Sequence, residues 1–264
     1  MLTYNYFRLI LLFFFAALTF SLNGQVTGVK YLLKARTQTE QIDAYLVIVE
    51  GKATDAIQRI QFNAQFSIVV PTGLVPDIHK TYMPLNNNMD YTGTVPCKWT
   101  MMSKILSPEV TPNQDYYSFV PDLNPSSFYN NLATGDTIHL FTLNFSGSGV
   151  CLHNIRLFDN EKDPNAEVKS MKGANFINTF TLGGTEHIFK GNLKKDDTIK
   201  AELRNGSIYV DSKGKSYQWF RKGNQELIAT TTEPMYRPDK KGVYFAKIIS
   251  NQCEVYSDYI SFKR

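Results

Sequence analysis

Helical spacing is nearly missing from this sequence, and that shortage narrows the fold more than any other feature. No stretch of useful length repeats apolar residues at i, i+3, i+4 and i+7; Thr54 to Ile60 supports one short turn. Tryptophan occurs twice, cysteine three times and histidine four times. There is no Gly-x-Ser-x-Gly elbow for a nucleophilic serine, since Gly147-Ser148-Gly149 reads as a hairpin turn. There is no phosphate-cradling loop and no Gly-x-Gly-x-x-Gly behind a strand, so nothing specific points to nucleotide or dinucleotide chemistry. Paired-cysteine spacing for zinc is lacking. A glycosidase needs two carboxyls facing one cleft, and among 24 acidic residues no spacing selects such a pair. Tandem repeats and low-complexity tracts are not found either.

What the chain does have is aromatic side chains and alternation. It carries 15 Tyr and 18 Phe within a hydrophobic content of 43% and a charged content of 20%, the balance of a soluble globular protein. Phe62, Ala64, Phe66, Ile68 and Val70 alternate with Gln61, Asn63, Gln65 and Ser67 before Pro71-Thr72-Gly73, which predicts a strand with one buried face. Similar patterns predict strands over Val29–Ala35, Ile42–Val49, Lys98–Ile105, Tyr116–Val120, Thr137–Phe145, Val150–Phe158 and Glu186–Lys190. Two long polar loops, Pro71 to Pro96 and Pro121 to Gly135, interrupt them. Strands separated by Pro, Gly and Asn clusters without helices predict an antiparallel sandwich. At 264 residues the chain fits two domains, taking about 150 residues per domain as a guide. The glycine-bearing charged segment from Lys190 to Asp197 marks the boundary, and a new set follows: Ile199–Leu203, Ser207–Val210, Tyr217–Phe220, Glu226–Thr230, Gly242–Ile249 and Tyr256–Phe262. The expected class is all-β, with two β-sandwich domains in tandem, at 25–192 and 193–264, after a signal peptide at 1–24.

That N-terminal stretch has one cation, Arg8, then an uncharged apolar run from Leu9 to Leu22 ending in Asn23 and Gly24. It reads as a cleaved export signal with the mature chain starting near Gln25; an uncleaved anchor is the competing reading. The expected location is extracellular or cell-surface, with the periplasm as the alternative, and no membrane span after cleavage. Export lets cysteines oxidise. Cys97 and Cys151 fall in the first domain and Cys253 in the second, so Cys97–Cys151 is the economical pairing, and Cys253 is left over.

Charge is divided unevenly. Residues 25–192 hold 13 basic and 15 acidic side chains, residues 193–264 hold 14 and 9. Solvated lysines explain the second excess, since no nucleic-acid motif accompanies them, and no nucleic-acid partner is expected. No cofactor is expected. If calcium binds anywhere, the oxygen-rich turn with Asp159, Asn160 and Asp163 is the first place to look, against the alternative of a plain solvated turn. His79, His139, His153 and His187 are spread over separate elements; His139 and His153 become cross-strand neighbours if their two strands form a hairpin.

Trp219 heads a strand, Arg221-Lys222-Gly223-Asn224 turns, and Gly242-Val243-Tyr244 begins a later strand. This pattern, with the run SNQCEVYSDYISF, resembles the C-terminal immunoglobulin-like domains of secreted bacterial surface proteins. The resemblance implies Trp219 and Tyr244 as core residues, although the strand from Ile199 to Leu203 has no cysteine to pair with Cys253. AQFSIVVPTG, GDTIHLFTLNFSG, DNEKDP and HIFKGN resemble the cohesin-like sandwich domains of exported Bacteroidota proteins, relatives of which bind dockerin modules by a sheet face. Phe66 and Phe141 lie in these runs and are expected in the first core. The two resemblances imply a non-catalytic adhesion, scaffold or surface protein-binding module, not an enzyme, with a protein or polysaccharide partner at the cell surface. The alternatives are a carbohydrate-binding module stacking Tyr82, Tyr91, Tyr116, Tyr117 or Tyr129 on sugar rings, and an accessory of a secreted hydrolase.

Overall fold

Alternating side chains need a second layer to bury their apolar face, and the computed structural model shows how these strands meet that need. It describes residues 24–36, 39–82, 98–122, 129–147, 151–184, 188–195, 198–223, 225–250 and 253–263. Residues 1–23 of the stretch expected to be an export signal, and with them Tyr91, Cys97 and His187, lie outside the described residues.

The chain runs through β1 (Val26–Arg36), β2 (Gln41–Ala53), β3 (Gln61–Pro71), β4 (Val75–Thr81), β5 (Lys98–Ile105), β6 (Gln114–Asp122), β7 (Leu132–Ala133), β8 (Thr137–Ser146), β9 (Arg156–Leu157), β10 (Thr179–Leu182) and β11 (Phe189–Asn192). There follow β12 (Ala201–Arg204), β13 (Ser207–Val210), β14 (Ser216–Arg221), β15 (Glu226–Thr231), β16 (Met235–Tyr236), β17 (Gly242–Ser250), β18 (Cys253–Tyr256) and β19 (Ile260–Phe262). Among the described residues there is no α-helix, and no helix long and apolar enough to cross a membrane. The fold is all-β and sandwich-like.

One sheet has the order β11-β1-β2-β8-β4 with β7 beside β2, and a second has β10-β3-β6-β5 with β9 beside β3. They pack face to face through aromatic side chains. Tyr31 of β1 meets Phe66 of β3 at 4.6 Å between ring centroids, and its hydroxyl donates to the Thr179 carbonyl at 2.7 Å. Phe141 of β8 meets Phe66, Trp99 and Phe119 at 5.1, 5.0 and 5.6 Å. Among the described strands of these two sheets pairing is antiparallel except that β11 runs parallel to β1, with Val29 opposite Phe189. The C-terminal strands form a β12-β13-β16 sheet against a β15-β14-β17-β18 sheet, with β19 beside β17. Their shared core contains Trp219, Tyr244, Ile208, Val210 and Ile248.

Several expectations are corrected. Phe62 is 49% exposed and Gln61 buried, because the β3–β10 register slips between Asn63 and Gln61 and reverses the alternation there. From Ala64 onward the pattern holds, but Ser67 and Val69 on the opposite face are buried too. Phe158, Met171 and Phe176 cover that face in a satellite cluster with Val69 and Tyr116. Where the sequence predicts a strand over Val150–Phe158, the described residues from Cys151 on form a 3-10 turn at Leu152–Asn154 followed by two-residue β9. His153 therefore does not stand across a hairpin from His139. The polar tract after Pro71 is not all loop, since β4 pairs with β8 from Val75 to Thr81.

The cysteine pairing is also corrected. Cys151 is bonded to Cys253, across a sequence separation of 102, so Cys253 is not left over. Cys151 sits in the C-terminal core cluster although its neighbours Leu152 and Ile155 belong to the N-terminal one. Spatial closeness decided the partner: the Cα atoms stand 5.3 Å apart, within disulfide range. Lys195 reinforces the junction by donating from Nζ to the carbonyls of Leu152 and Ile155 at 2.5 and 2.9 Å.

Candidate binding face

The solvent side of the β1-β2-β8-β4 sheet carries an organised side-chain cluster. Along β2, Ile42, Ala44 and Leu46 point into the core, which turns Asp43 and Tyr45 outward. On β8, Ala44 opposes Phe141 while Tyr45 opposes His139, so one extra residue, Leu140, bulges. The bulge sends His139 and Thr142 to the same outer face, which an unbroken strand would forbid. A second irregularity, between Ile78 and Lys80 on β4, sets Lys80 opposite Thr142. Tyr82 follows, anchored by its N–H to the Leu140 carbonyl at 2.9 Å.

Asp43 is the hub, its side chain only 4% exposed. Arg36 Nε donates to Oδ2 at 2.6 Å, and the Thr142 hydroxyl donates to Oδ1 at 2.6 Å. His139 Nε2 lies 3.1 Å from Oδ1, and the Tyr45 hydroxyl makes a long 3.4 Å contact with Oδ2. Above the hub the rings stack across three strands: His139 lies between Tyr45 at 4.5 Å and Tyr82 at 3.7 Å, nearly parallel to both. Lys80 Nζ stands 5.0 Å from the Tyr82 ring centroid. A side row continues the face, with Gln41 donating to Asn144 at 2.8 Å and Asn144 Nδ2 lying 3.3 Å from His79 Nδ1.

The electrostatics follow from these contacts. Burial pushes the Asp43 carboxyl up, but hydrogen bonds from His139, Arg36 and Thr142 outweigh it and bring the value from 3.8 down to about 2. A depressed carboxyl stabilises the fold fully above its unfolded value and loses that contribution as pH falls toward the folded value. The window is therefore roughly pH 4 down to 2. Urea midpoints taken from pH 5 to 2 are expected to fall more steeply for the wild type than for Asp43→Asn. Equal slopes would remove the hub from the account of acid stability. With its oxygens already engaged by donors, Asp43 is poorly placed as a general base. It instead holds Arg36, His139 and the ring stack in one geometry.

Other residues singled out by sequence fall elsewhere. Trp219 is fully buried, its indole N–H donating to the Thr231 hydroxyl at 2.9 Å and its ring stacked on Tyr236 at 5.6 Å. Tyr244, Phe66 and Phe141 are buried as well. Tyr116, Tyr117 and Tyr129 are core residues, which corrects their reading as sugar-stacking loop tyrosines. Tyr117 bonds the Leu74 carbonyl, and burial pushes its hydroxyl up to about 12; Tyr129 donates to Gln61. Tyr82 alone of the described set reaches solvent, and it belongs to the stack.

At the turn named as the first place to look for calcium, the oxygens are already engaged. Asp163 takes a two-pronged bond from Arg156 at 2.5 and 2.7 Å and also accepts the Asp159 N–H. Asp159 receives Lys162 Nζ at 2.8 Å, and Asn160 exchanges two bonds with the Asn178 backbone. Carboxylates already neutralised by fixed cations are a poor cage for a hard metal ion. No group of metal-ligating side chains occurs among the described residues.

Sequence reasoning missed Arg36, Asp43, Tyr45 and Thr142. An outward Asp on an alternating strand is ordinary; Arg36 is seven residues away, but His139 and Thr142 come from β8, the latter 99 residues distant, so the cluster had no local signal. Comparison of the chain with protein-family models, with curated proteins and with solved structures gave no match. What the geometry defines is a class: an all-β protein of packed sheets that offers a preorganised outer face.

Proposed function

We propose that this is a non-catalytic, exported adhesion or scaffold module that binds a protein partner at the cell surface. The carrying observation is the Asp43 cluster, which holds Arg36, Lys80 and Tyr82 ready on a sheet face before any partner arrives. Arginine and tyrosine dominate interface energetics, and fixing them in advance reduces the ordering cost of binding. On this reading residues 25–192 are a cohesin-like sandwich using a sheet face, and residues 193–264 an immunoglobulin-like one. The Tyr244 hydroxyl donates to the Lys240 carbonyl at 2.6 Å, and Ala246, next in phase, stands opposite Trp219. This supports the immunoglobulin-like reading, since a tyrosine corner of that kind precedes the second inter-sheet cysteine in antibody domains. The Cys151–Cys253 bond supports export, because such cross-links persist in oxidising compartments.

The test is affinity capture from the surface-protein fraction of the source cells, with wild type and a Lys80→Glu/Tyr82→Ala variant as matched baits. One partner retained by the first and lost at least tenfold from the second is the expected result. Equal retention by both baits would refute the assignment of this face.

A further inference from the structure

The outer face of the β15-β14-β17-β18 sheet is aromatic where a solvated sheet is ordinarily polar. Trp219 and Tyr217 point inward, so Gln218 and Phe220 point out; on β17 Lys247 and Phe245 do the same, opposite them. Phe220 and Phe245 stack at 5.2 Å with 13° between their planes. Phe245 also meets Tyr259 edge-on at 5.4 Å and Tyr256 at 6.2 Å. Leu227 opposes Phe220 on β15, which completes an apolar row across the sheet. Tyr256, Tyr259 and Leu227 are 57%, 59% and 49% exposed. Exposed tyrosines and a leucine gathered into one row, with charges at its margins, make the pattern of an interface rather than scattered surface residues.

Two observations choose the occupant. Rings on adjacent strands that stack with parallel planes turn their faces to each other and their edges to solvent. Sugar recognition needs an open ring face, and the Phe220–Phe245 pair does not offer one. The Tyr259 ring is approached by Lys222, whose Nζ stands 4.2 Å from its centroid. Grooves between upright rings instead accept aliphatic side chains. The rim offers Lys222 as its cation, whereas Lys247 is already paired with Glu254 at 2.7 Å, and the segment as a whole holds 14 basic and 9 acidic residues. We propose that this face binds an extended acidic polypeptide, whose aliphatic side chains lodge among Phe220, Phe245, Tyr256 and Leu227 while its carboxylates meet Lys222. This second surface is independent of the Asp43 face.

The probe is a fluorescein-labelled dodecapeptide of alternating Glu and Leu, which puts all its leucines on one side when extended. Controls are the matching Lys/Leu peptide and polygalacturonate. The full chain is expected to bind the Glu/Leu peptide. Binding should weaken about tenfold in a Tyr256→Ala/Tyr259→Ala variant, several-fold in Lys222→Glu, and in proportion as salt is raised. Both tyrosines are exposed, so the double variant should keep the wild-type melting temperature. Tyr82→Ala should leave this binding unchanged, which separates the proposal from the function assigned to the N-terminal face. The proposal is overturned by peptide binding that survives in the double variant or is equalled by the Lys/Leu peptide. It is equally overturned if polygalacturonate alone binds, or if neither probe does.

Discussion

Cys151→Ala, Cys253→Ala and full reduction of the wild type are each expected to lower stability by about 4 to 5 kcal/mol, the chain-entropy value for a loop of roughly 100 residues. The loop closed here has a sequence separation of 102. For a chain of this size the loss corresponds to a drop in melting temperature on the order of 10 °C. The double variant should fall no further than either single one, because removing one sulfur already opens the loop. The effect should reach across the molecule, since Cys151 leaves the turn beside the N-terminal core and enters the C-terminal one. Non-reducing peptide mapping should recover the Cys151 and Cys253 peptides as one species. A midpoint indifferent to reductant, or a Cys97–Cys151 linked peptide, would overturn this account of the junction.

Trp219→Ala should cost about 3 to 5 kcal/mol, the range for truncating a fully buried large aromatic side chain. Three losses combine. The ring fills the space between the two C-terminal sheets, against Tyr236 on one and beside Ala246 on the other. Its N–H bonds the Thr231 hydroxyl, which in turn donates to the Glu233 carbonyl at 2.7 Å and ties down the end of β15. Truncation leaves Thr231 with half its bonding and the sheets with a void. Trp219→Phe keeps most of the packing and should cost about half as much, with the missing hydrogen bond accounting for about 1 kcal/mol. Equilibrium urea unfolding measures both, and a loss below 1 kcal/mol for the alanine variant would show that the ring does not hold the sheets together.

Legibility followed the range of each interaction. Alternation marked β1, β2, β8, β14 and β17 because in each of these one face meets a core and the other largely meets solvent, whereas β6 is buried on both faces. It failed at Phe62, where a register slip reversed the phase. It could not reveal β4, whose Val75-Pro76-Asp77-Ile78-His79-Lys80-Thr81 looks like polar loop and becomes a strand by pairing with β8. It overcalled Val150–Phe158, where apolar Leu152 and Ile155 are buried by a turn and not by a ladder. The loop tyrosines misled for a related reason: Tyr116, Tyr117 and Tyr129 sit next to polar tracts in sequence, but the strands and turns bearing them face inward.

The sequence by itself determined that this chain builds sheets, and it marked Trp219 as an unusual residue in a strand. Those are properties of a residue and its near neighbours, set by the two-residue period of a strand. Only the tertiary structure decided that Cys151 would join Cys253, that Asp43 would gather Arg36, His139 and Thr142, and that Phe220 and Phe245 would line up in the open. Each of these depends on how segments far apart in the chain are brought together, and the Asp43 cluster also on single-residue bulges that turn a side chain from one face to the other. A change of one residue in register costs the local pattern little and rearranges every long-range contact.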